Sequence, residues 1–385
     1  MTAGIPLALY VHMPWCVAKC PYCDFNSHQV PRAGLPERAY ADALLQDLEF
    51  AAVETREREL VSVFFGGGTP SLFTAQSIAN VLQRAGELMP LARDLEVTLE
   101  ANPGTVEHAR FAEYRAAGVN RVSLGAQSFD DSRLAVLGRI HSSRETRLAV
   151  DELRAAGIDN FNLDLMYALP GQTVEAAMTD LDAAIELGPA HISHYQLTLE
   201  PGTAFHFRPP VLPDDDESFS MQLACHARLA DAGFVQYEVS AYARPGQKCR
   251  HNLVYWEFGD YLGVGAGAHG KVTSHATGGI VRSARVRSPA RYLAATSPAG
   301  RIEECRAIVA QELPFEYCLN ALRLTGGFSS HDYEIRTGLA RESLDETCEA
   351  AASDGLLERI SAPAGWRPTE LGRRFLNDLQ ARFLP

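Results

Sequence analysis

The stretch Leu7-Ala-Leu-Tyr-Val-His-Met-Pro-Trp-Cys16-Val-Ala-Lys-Cys20-Pro-Tyr-Cys23 runs from a strand-like apolar segment into three closely spaced cysteines. Thiolates are soft ligands that suit iron–sulfur clusters or zinc. A structural zinc site commonly closes with four ligands, whereas the spacing CxxxCxxC supplies three thiols and no obvious fourth. The pattern favours an iron–sulfur cluster on Cys16, Cys20 and Cys23 with one iron left open. A zinc site completed by His12 or His28 is the alternative.

Size and charge limit the remaining possibilities. The 385 residues fit one large domain and one small one, and the net charge of −13 argues against a nucleic-acid partner bound through a broad basic face. No apolar run approaches the ~18 residues of a membrane helix, and the N-terminus has no signal-peptide pattern. The sequence therefore predicts a cytoplasmic protein without a nucleic-acid partner, and it leaves peripheral membrane contact open.

Strand-like and helix-like segments alternate through the first 240 residues. This βαβα order predicts an α/β fold in which helices cover a parallel sheet. The predicted strands are Leu7–His12, Val61–Phe65, Leu95–Glu100, Arg121–Gly125, Phe161–Met166, His191–Leu197 and Val235–Ala241. The predicted helices are Glu37–Ala52, Ala75–Leu88, Val106–Ala116, Ser143–Ala155, Val174–Leu187 and Asp215–Ala232.

Polar, glycine and cysteine residues stand at the carboxyl ends of successive predicted strands. In a (β/α) barrel these ends converge on one shared site. No GxGxxG motif opens a helix after the first strand, which weakens the alternative of a doubly wound dinucleotide-binding sheet. The pattern therefore favours a barrel with its site at the carboxyl ends of the strands.

The chain changes character twice after this region. Residues 1–240 are predicted to form the core barrel, and residues 241–310 to extend it with the motif His251-Asn-Leu-Val-Tyr-Trp256 and a glycine-rich run. Residues 311–385 carry helical patterns followed by a predicted hairpin, which resembles a winged-helix module. Because no dense basic patch accompanies this module, a structural or substrate-covering role is favoured over nucleic-acid binding.

The cysteine triplet, with Tyr22 before the third cysteine, resembles the radical S-adenosylmethionine (SAM) superfamily. This resemblance implies a partial (β/α)6-type barrel with a small C-terminal α+β winged-helix-like module. It also implies a [4Fe–4S] cluster on the three cysteines, with SAM on the open iron. In that superfamily, one electron from the cluster cleaves SAM to methionine and a 5′-deoxyadenosyl radical. The segment Gly66-Gly-Gly-Thr69-Pro70 is typical of the coproporphyrinogen oxidase-like branch, with Thr69 where many relatives carry Glu.

The resemblance extends residue by residue to the other strand ends. It implies that the cluster-bound SAM contacts Tyr10, Gly67 and Glu100. It further implies that a second SAM site, known from the oxidase, is lined by Tyr22, Gly68, Thr69, Gln127, Arg139 and Asp164. Each of these residues alone is unremarkable, and capping or surface roles are the ordinary alternatives.

This branch contains an oxygen-independent coproporphyrinogen III oxidase and a group of heme chaperones. The oxidase carries a further cysteine two residues after the third, where this chain has Phe25, and it has a longer N-terminal arm. The HNxxYW motif matches the chaperone group. The resemblance therefore implies a protein that binds heme and passes it to hemoproteins, and the oxidase remains the alternative. Flavodoxin or ferredoxin is a further predicted partner, as electron donor, and whether SAM is cleaved stays open.

Heme could be held by the HNxxYW motif itself. The ring of His251 can serve as an axial iron ligand, and Tyr255 and Trp256 can stack on a porphyrin. A hydrogen-bonded histidine beside two core aromatics is the alternative. Competing ligands are His194, His206, His226, His269 and Cys249.

The cluster prediction has a direct test. Replacing Cys16, Cys20 and Cys23 together with Ala removes every thiolate of the triplet, so the iron–sulfur absorption after anaerobic reconstitution should be abolished. Iron and sulfide content, measured beside the wild-type protein, checks the result. A triple variant that retains a full cluster would contradict the assignment.

Overall fold

The computed structural model describes residues 4–104, 110–274 and 277–385. The elements up to Ala243 alternate as predicted. The strands here are β1 (Leu7–Met13), β2 (Trp15–Cys16), β3 (His28–Gln29), β4 (Leu60–Gly67), β5 (Leu91–Ala101), β6 (Arg121–Gln127), β7 (Phe161–Tyr167), β8 (His191–Gln196), β9 (Val235–Gln236) and β10 (Ala241–Ala243). The helices are α1 (Glu37–Ala51), α2 (Ala75–Leu88), α3 (Phe111–Ala117), α4 (Asp131–Val136), α5 (Ser143–Ala155), α6 (Val174–Glu186), α7 (Ala204–Phe207) and α8 (Asp215–Asp231).

The remainder of the chain adds antiparallel strands and short helices. Its strands are β11 (Asp260–Val264), β12 (His269–Thr273), β13 (Ile280–Arg285), β14 (Ile302–Ala307), β15 (Phe328–Ser329), β16 (Leu357–Ser361) and β17 (Ala364–Pro368). Its helices are α9 (Arg250–Trp256), α10 (Pro289–Ala294), α11 (Leu313–Ala321), α12 (Ser330–Thr337), α13 (Glu342–Ser353), α14 (Glu370–Arg374) and α15 (Leu376–Ala381). Short 3₁₀ turns lie at Ala52–Glu54, Pro70–Leu72 and Pro298–Arg301.

A mixed sheet organises the part of the chain that the structure describes. Its strand order is β14-β13-β12-β11-β1-β4-β5-β6-β7-β8-β10-β9. The strands from β11 to β8 run parallel, while β12–β14 extend one edge and β10 and β9 the other in antiparallel pairing. The predicted α/β fold with a parallel sheet is confirmed.

Local sequence explains why these elements form. Strand β1 has the apolar sequence LALYVHM and is buried along nearly its whole length, as expected for a parallel strand covered on both faces. Helices α5 and α8 begin with capping boxes, in which Ser142 pairs with Glu145 and Asp214 with Glu217. Helix α8 thus starts within an acidic segment, whose negative charges favour a helix N-terminus.

The parallel strands bring their carboxyl ends to one edge of the sheet. Met13 at the end of β1 pairs with Gly67 at the end of β4, and Tyr167 of β7 pairs with Gln196 of β8. Between them lie the ends of β5 and β6, at Ala101 and Gln127. Residues distant in sequence thereby become neighbours at this edge of the sheet.

Two sequence predictions need correction or restriction. The prediction of a single strand over Val235–Ala241 is wrong, because the chain reverses direction within this segment, between β9 and β10, which pair antiparallel. The carboxylate of Glu238 accepts the N–H of Ser240 at 3.0 Å within that reversal. The predicted helix Val106–Ala116 overlaps residues 105–109, which lie outside the described residues, and α3 is described over Phe111–Ala117.

The C-terminal region follows the predicted order of helices and then a hairpin. Helices α12 and α13 precede the hairpin β16–β17, and β15 pairs with β17. A hydrophobic cluster containing Tyr317, Tyr333 and Trp366 fills this region and includes Phe258 from the barrel extension. The domain boundaries at 240 and 310 stay a prediction. Within the described residues, no helix is long and apolar enough to cross a membrane.

A buried carboxylate ties helix α1 to the sheet extension. Asp47 accepts hydrogen bonds from the guanidinium Nε of Arg285 at 2.9 Å, the hydroxyl of Tyr292 at 2.8 Å and the N–H of Gly265 at 3.1 Å. The side chain of Asp47 is fully buried and that of Arg285 is nearly so. Removing one partner of such a pair leaves the other charge buried without compensation.

We therefore predict that Asp47→Ala lowers the free energy of unfolding by about 3–5 kcal/mol. The control is Glu49→Ala, on the same helix as Asp47, which breaks a largely exposed ion pair with Arg84 of α2 and should cost about 1 kcal/mol or less. Urea unfolding of the wild type and both variants measures the difference. Equal losses in the two variants would contradict the role assigned to Asp47.

Candidate cofactor-binding site

A cavity of about 230 Å³ lies at the carboxyl ends of the parallel strands, and we name it the cluster cavity. The three cysteines of the CxxxCxxC motif line it together with residues from β4 to β8. The sequence-predicted residues that line it are Cys16, Cys20, Tyr22, Cys23, Gly67, Gly68, Thr69, Glu100, Gln127, Arg139 and Asp164. The fold thus brings eleven predicted site residues to one space.

The cysteine loop is fixed by its own backbone and by contacts with the sheet extension. The N–H of Cys23 donates to the carbonyl of Cys20 at 3.2 Å, and the N–H of Val30 donates to the carbonyl of Cys16 at 3.0 Å. The Asn26 amide donates to the carbonyls of Ala266 and Arg287, both at 2.9 Å. These hydrogen bonds hold the loop that carries the three thiols in a fixed position.

The donor set fits a [4Fe–4S] cluster. Three partly exposed thiols line one cavity, and burial raises the pKa of Cys16 and Cys23. The guanidinium of Arg139 donates to the Cys20 sulfur at 3.6 Å, which suits a thiolate.

Both ring nitrogens of His12 are hydrogen-bonded, to the Tyr10 hydroxyl and the Asn26 carbonyl, so His12 offers no open nitrogen to complete a zinc site.

The glycine segment after β4 is required by close backbone approach. Gly67 has a φ of +114°, and a Cβ there would lie 2.4 Å from the ring of His12. A Cβ on Gly68 would lie 2.6 Å from the backbone carbonyl of Trp15. The N–H of Gly67 donates to the Glu100 carboxylate at 3.0 Å. Side chains are thus excluded from both positions for steric reasons.

Two half-buried carboxyl groups line the cluster cavity. Burial, with a further contribution from the charge of Asp164, raises the pKa of Glu100 to about 8. Burial also raises the pKa of Asp164, which accepts hydrogen bonds from Asn162 at 2.7 Å and Ser123 at 3.1 Å. Perturbed carboxyls in a cavity are typical of functional sites, and these oxygens can accept hydrogen bonds from hydroxyl groups.

The opposite wall carries a strained residue and a fixed cation. Gln127 has a φ of +65°, a conformation rare for residues other than glycine, and accepts the Tyr195 hydroxyl at 2.7 Å. Arg139 donates to the Gly125 carbonyl at 2.8 Å and to the side chain of Asn102. Such a guanidinium suits a carboxylate ligand.

A second, larger cavity of about 690 Å³ lies on the other side of Gly67 and Glu100, and we name it the outer cavity. Tyr10, the remaining residue predicted to contact SAM, lines it. Gly67, Glu100 and Phe25 line both cavities. The predicted contacts of the cluster-bound SAM therefore lie along the partition between the two spaces.

His251 lies outside both cavities, in helix α9. Its Nδ1 is 3.0 Å from the Ser62 hydroxyl, and its Nε2 is 3.1 Å from the Tyr255 hydroxyl. The side chain is buried, and that burial lowers the pKa of the ring to about 3. Neither ring nitrogen is open to an iron in this arrangement, whereas Tyr255 itself lines the outer cavity. Trp256 packs against the guanidinium of Arg323 at 4.3 Å.

Comparison with known proteins places these features in a family. The model of the radical SAM superfamily matches residues 10–184. Two proteins named heme chaperone HemW, from Haemophilus influenzae and Escherichia coli, are 45% and 46% identical to this chain, each over 98% of this chain and 98% of the relative. The chain belongs to the HemW family of radical SAM proteins.

A solved structure agrees with this assignment at the level of fold. Coproporphyrinogen III oxidase (HemN) from Escherichia coli, a radical SAM enzyme, matches with a TM-score of 0.80. The match covers 98% of this chain and 90% of that chain at 22% identity, so it shows the fold alone. Membership of the radical SAM superfamily implies that a HemW-family chain carries a [4Fe–4S] cluster and SAM.

Sequence reasoning missed the polar layer beneath the HemW-family site. Asn162 connects Asp164 to His191, whose Nδ1 is 2.6 Å from the side-chain Oδ1 of Asn162 and whose Nε2 is 2.9 Å from the Tyr237 hydroxyl. Asn162 falls within a predicted strand, and the sequence alone assigns its side chain to interior packing without a further role. A polar residue at an inward position two residues before Asp164 was the available signal.

The raised pKa of Glu100 predicts a pH dependence of stability. The folded chain holds a proton that the unfolded chain releases near pH 4.5, so stability should decrease as pH rises from about 5 to 8. Glu100→Gln keeps an acceptor for the Gly67 N–H and removes this titration. We expect the urea midpoint of cluster-free wild-type protein to fall more steeply over that range than that of the variant.

The exposed substitution Glu113→Gln on helix α3 is the control and should leave the pH dependence of the wild type unchanged. Parallel pH profiles for the wild type and Glu100→Gln would show that Glu100 is already ionised at neutral pH.

Proposed function

We propose that this protein is a heme chaperone that binds heme and delivers it to hemoproteins, and that carries a SAM-binding [4Fe–4S] cluster. The observation that supports this most strongly is the identity of 45–46%, over 98% of both chains, with two proteins named heme chaperone HemW. Similarity of that extent includes the barrel, its extension and the C-terminal module. An electron donor of the flavodoxin or ferredoxin type and peripheral membrane contact stay predictions.

The cluster is proposed to bind to Cys16, Cys20 and Cys23, and SAM to bind along the partition between the two cavities. Tyr10, Gly67 and Glu100 line that partition, where a carboxyl and a backbone N–H can pair with the polar groups of SAM. When bound, the cluster supplies one-electron reduction of SAM. The second set of predicted residues, on the far wall of the cluster cavity, is proposed to form a further SAM-contacting surface.

The alternative is radical decarboxylation of coproporphyrinogen III. The fold shared with HemN is compatible with the oxidase activity, because one fold supports different activities. The residue that argues against it is Phe25, which stands where the oxidase has a further cysteine. Its side chain is 59% exposed and lines both cavities, so it places an apolar ring where the oxidase has a thiol.

Heme titration tests the proposed function. We expect the anaerobically reconstituted protein to bind heme saturably, at about one per chain, with a shift of the Soret band. The heme-loaded protein should then transfer heme to an apo-hemoprotein, followed by the spectrum of the acceptor.

Non-saturating binding would contradict the chaperone. The same preparation would then be incubated with coproporphyrinogen III, SAM and a reductant, and formation of the vinyl product would support the oxidase. The triple cysteine variant is the matched control, because the oxidase reaction requires the cluster.

A further inference from the structure

The heme iron needs a ligand atom that faces a space large enough for a porphyrin. Ligand pockets typically have volumes of about 300–1,000 Å³, a range that the outer cavity meets. His141 borders a cavity of only about 70 Å³. Among the described histidines, His12 and His269 line the outer cavity. Both ring nitrogens of His12 are already hydrogen-bonded.

His269 differs from the other histidines near the site. It is exposed at the start of β12, and no hydrogen bond joins its ring to another of the described residues. By contrast, His191 and His251 are buried with both ring nitrogens bonded. His206 is also exposed, but it lies on helix α7 outside the outer cavity. His269 thus combines an open imidazole with a large cavity.

The strand register places a small side chain next to His269. His269 pairs with Ala284 on β13, and Ala284 pairs with Glu304 on β14, so the three side chains form one row across the sheet extension. The middle residue contributes only a methyl group. A planar ligand can therefore approach the sheet between the two larger side chains.

Aromatic and cationic groups complete the same side of the cavity. The rings of Tyr255 and Tyr261 meet edge to face with centroids 4.4 Å apart, and both residues line the cavity. The exposed guanidinium of Arg287 also lines it, which suits the carboxylates of a heme propionate. The hydroxyl of Tyr255 is held by His251, which explains how the HNxxYW motif can affect a ligand that it does not bind through His251.

We infer that heme binds in the outer cavity, with the imidazole of His269 as an iron ligand and the porphyrin beside Ala284, Tyr261 and Tyr255. This site rests on the proposed function, because it specifies where the chaperone holds its cargo. His251 is then a positioning residue for Tyr255. Since Gly67 and Glu100 line the same cavity, heme and the proposed SAM site are neighbours.

The test is an anaerobic heme titration of cluster-reconstituted wild type, His269→Ala and His269→Cys. His269→Ala should bind heme at least about tenfold more weakly and shift its Soret band, because the loss of a ligand exceeds the loss of a supporting contact. His269→Cys should show the spectrum of thiolate-ligated heme. His206→Ala is the matched control on another exposed histidine and should titrate like the wild type.

A second variant tests the site without removing the ligand. Ala284→Trp fills the space beside His269 and should also weaken heme binding by about tenfold or more, while the iron–sulfur absorption stays at the wild-type level. Wild-type affinity and spectrum in both His269 variants would overturn the site and leave the chaperone intact. Absence of saturable binding by the wild type itself would instead overturn the proposed function.

Discussion

The close approach of three strand ends at Gly67 is the constraint on which the site depends. The ring of His12 from β1 packs against the position where a Gly67 side chain would lie, and the Gly67 N–H donates to Glu100 from β5. Because Gly67 has a positive φ, only glycine meets both demands without strain. This contact fixes β1, β4 and β5 relative to one another at the edge where the cysteine loop begins.

The same contact divides the functional region into two spaces. Gly67 and Glu100 face the cluster cavity on one side and the outer cavity on the other. The Glu100 carboxyl is half-buried there, and its desolvation raises its pKa. A ligand that lies along this partition can contact the cluster at one end and the sheet extension at the other. The partition is therefore the part of this HemW-family chain that both cavities share.

The sheet extension supports both spaces through buried polar contacts. Asp47 ties α1 to Arg285 on β13, and Asp260 on β11 binds the ammonium of Lys271 at 2.7 Å and the guanidinium of Arg58 at 2.7 Å. Groups of this kind are costly to bury alone and strongly destabilising to break once paired. These buried pairs fix the strands that carry His269 and Ala284 within the sheet extension. The side chain of Asn26 connects this extension to the cysteine loop.

The sequence alone determined the cysteine triplet, the βαβα alternation and the strand ends that share the site, because ligand spacing and hydrophobic periodicity are local properties. It also indicated Phe25 in place of a further cysteine. It did not decide the role of His251, since the residue types alone favour a core histidine whereas the family resemblance favours a heme ligand. Only the tertiary structure showed that Ser62 and Tyr255 occupy both of its nitrogens. It likewise placed His269 beside Ala284 and brought Tyr261 to the same cavity, because that arrangement depends on strand register and packing between segments far apart in the chain.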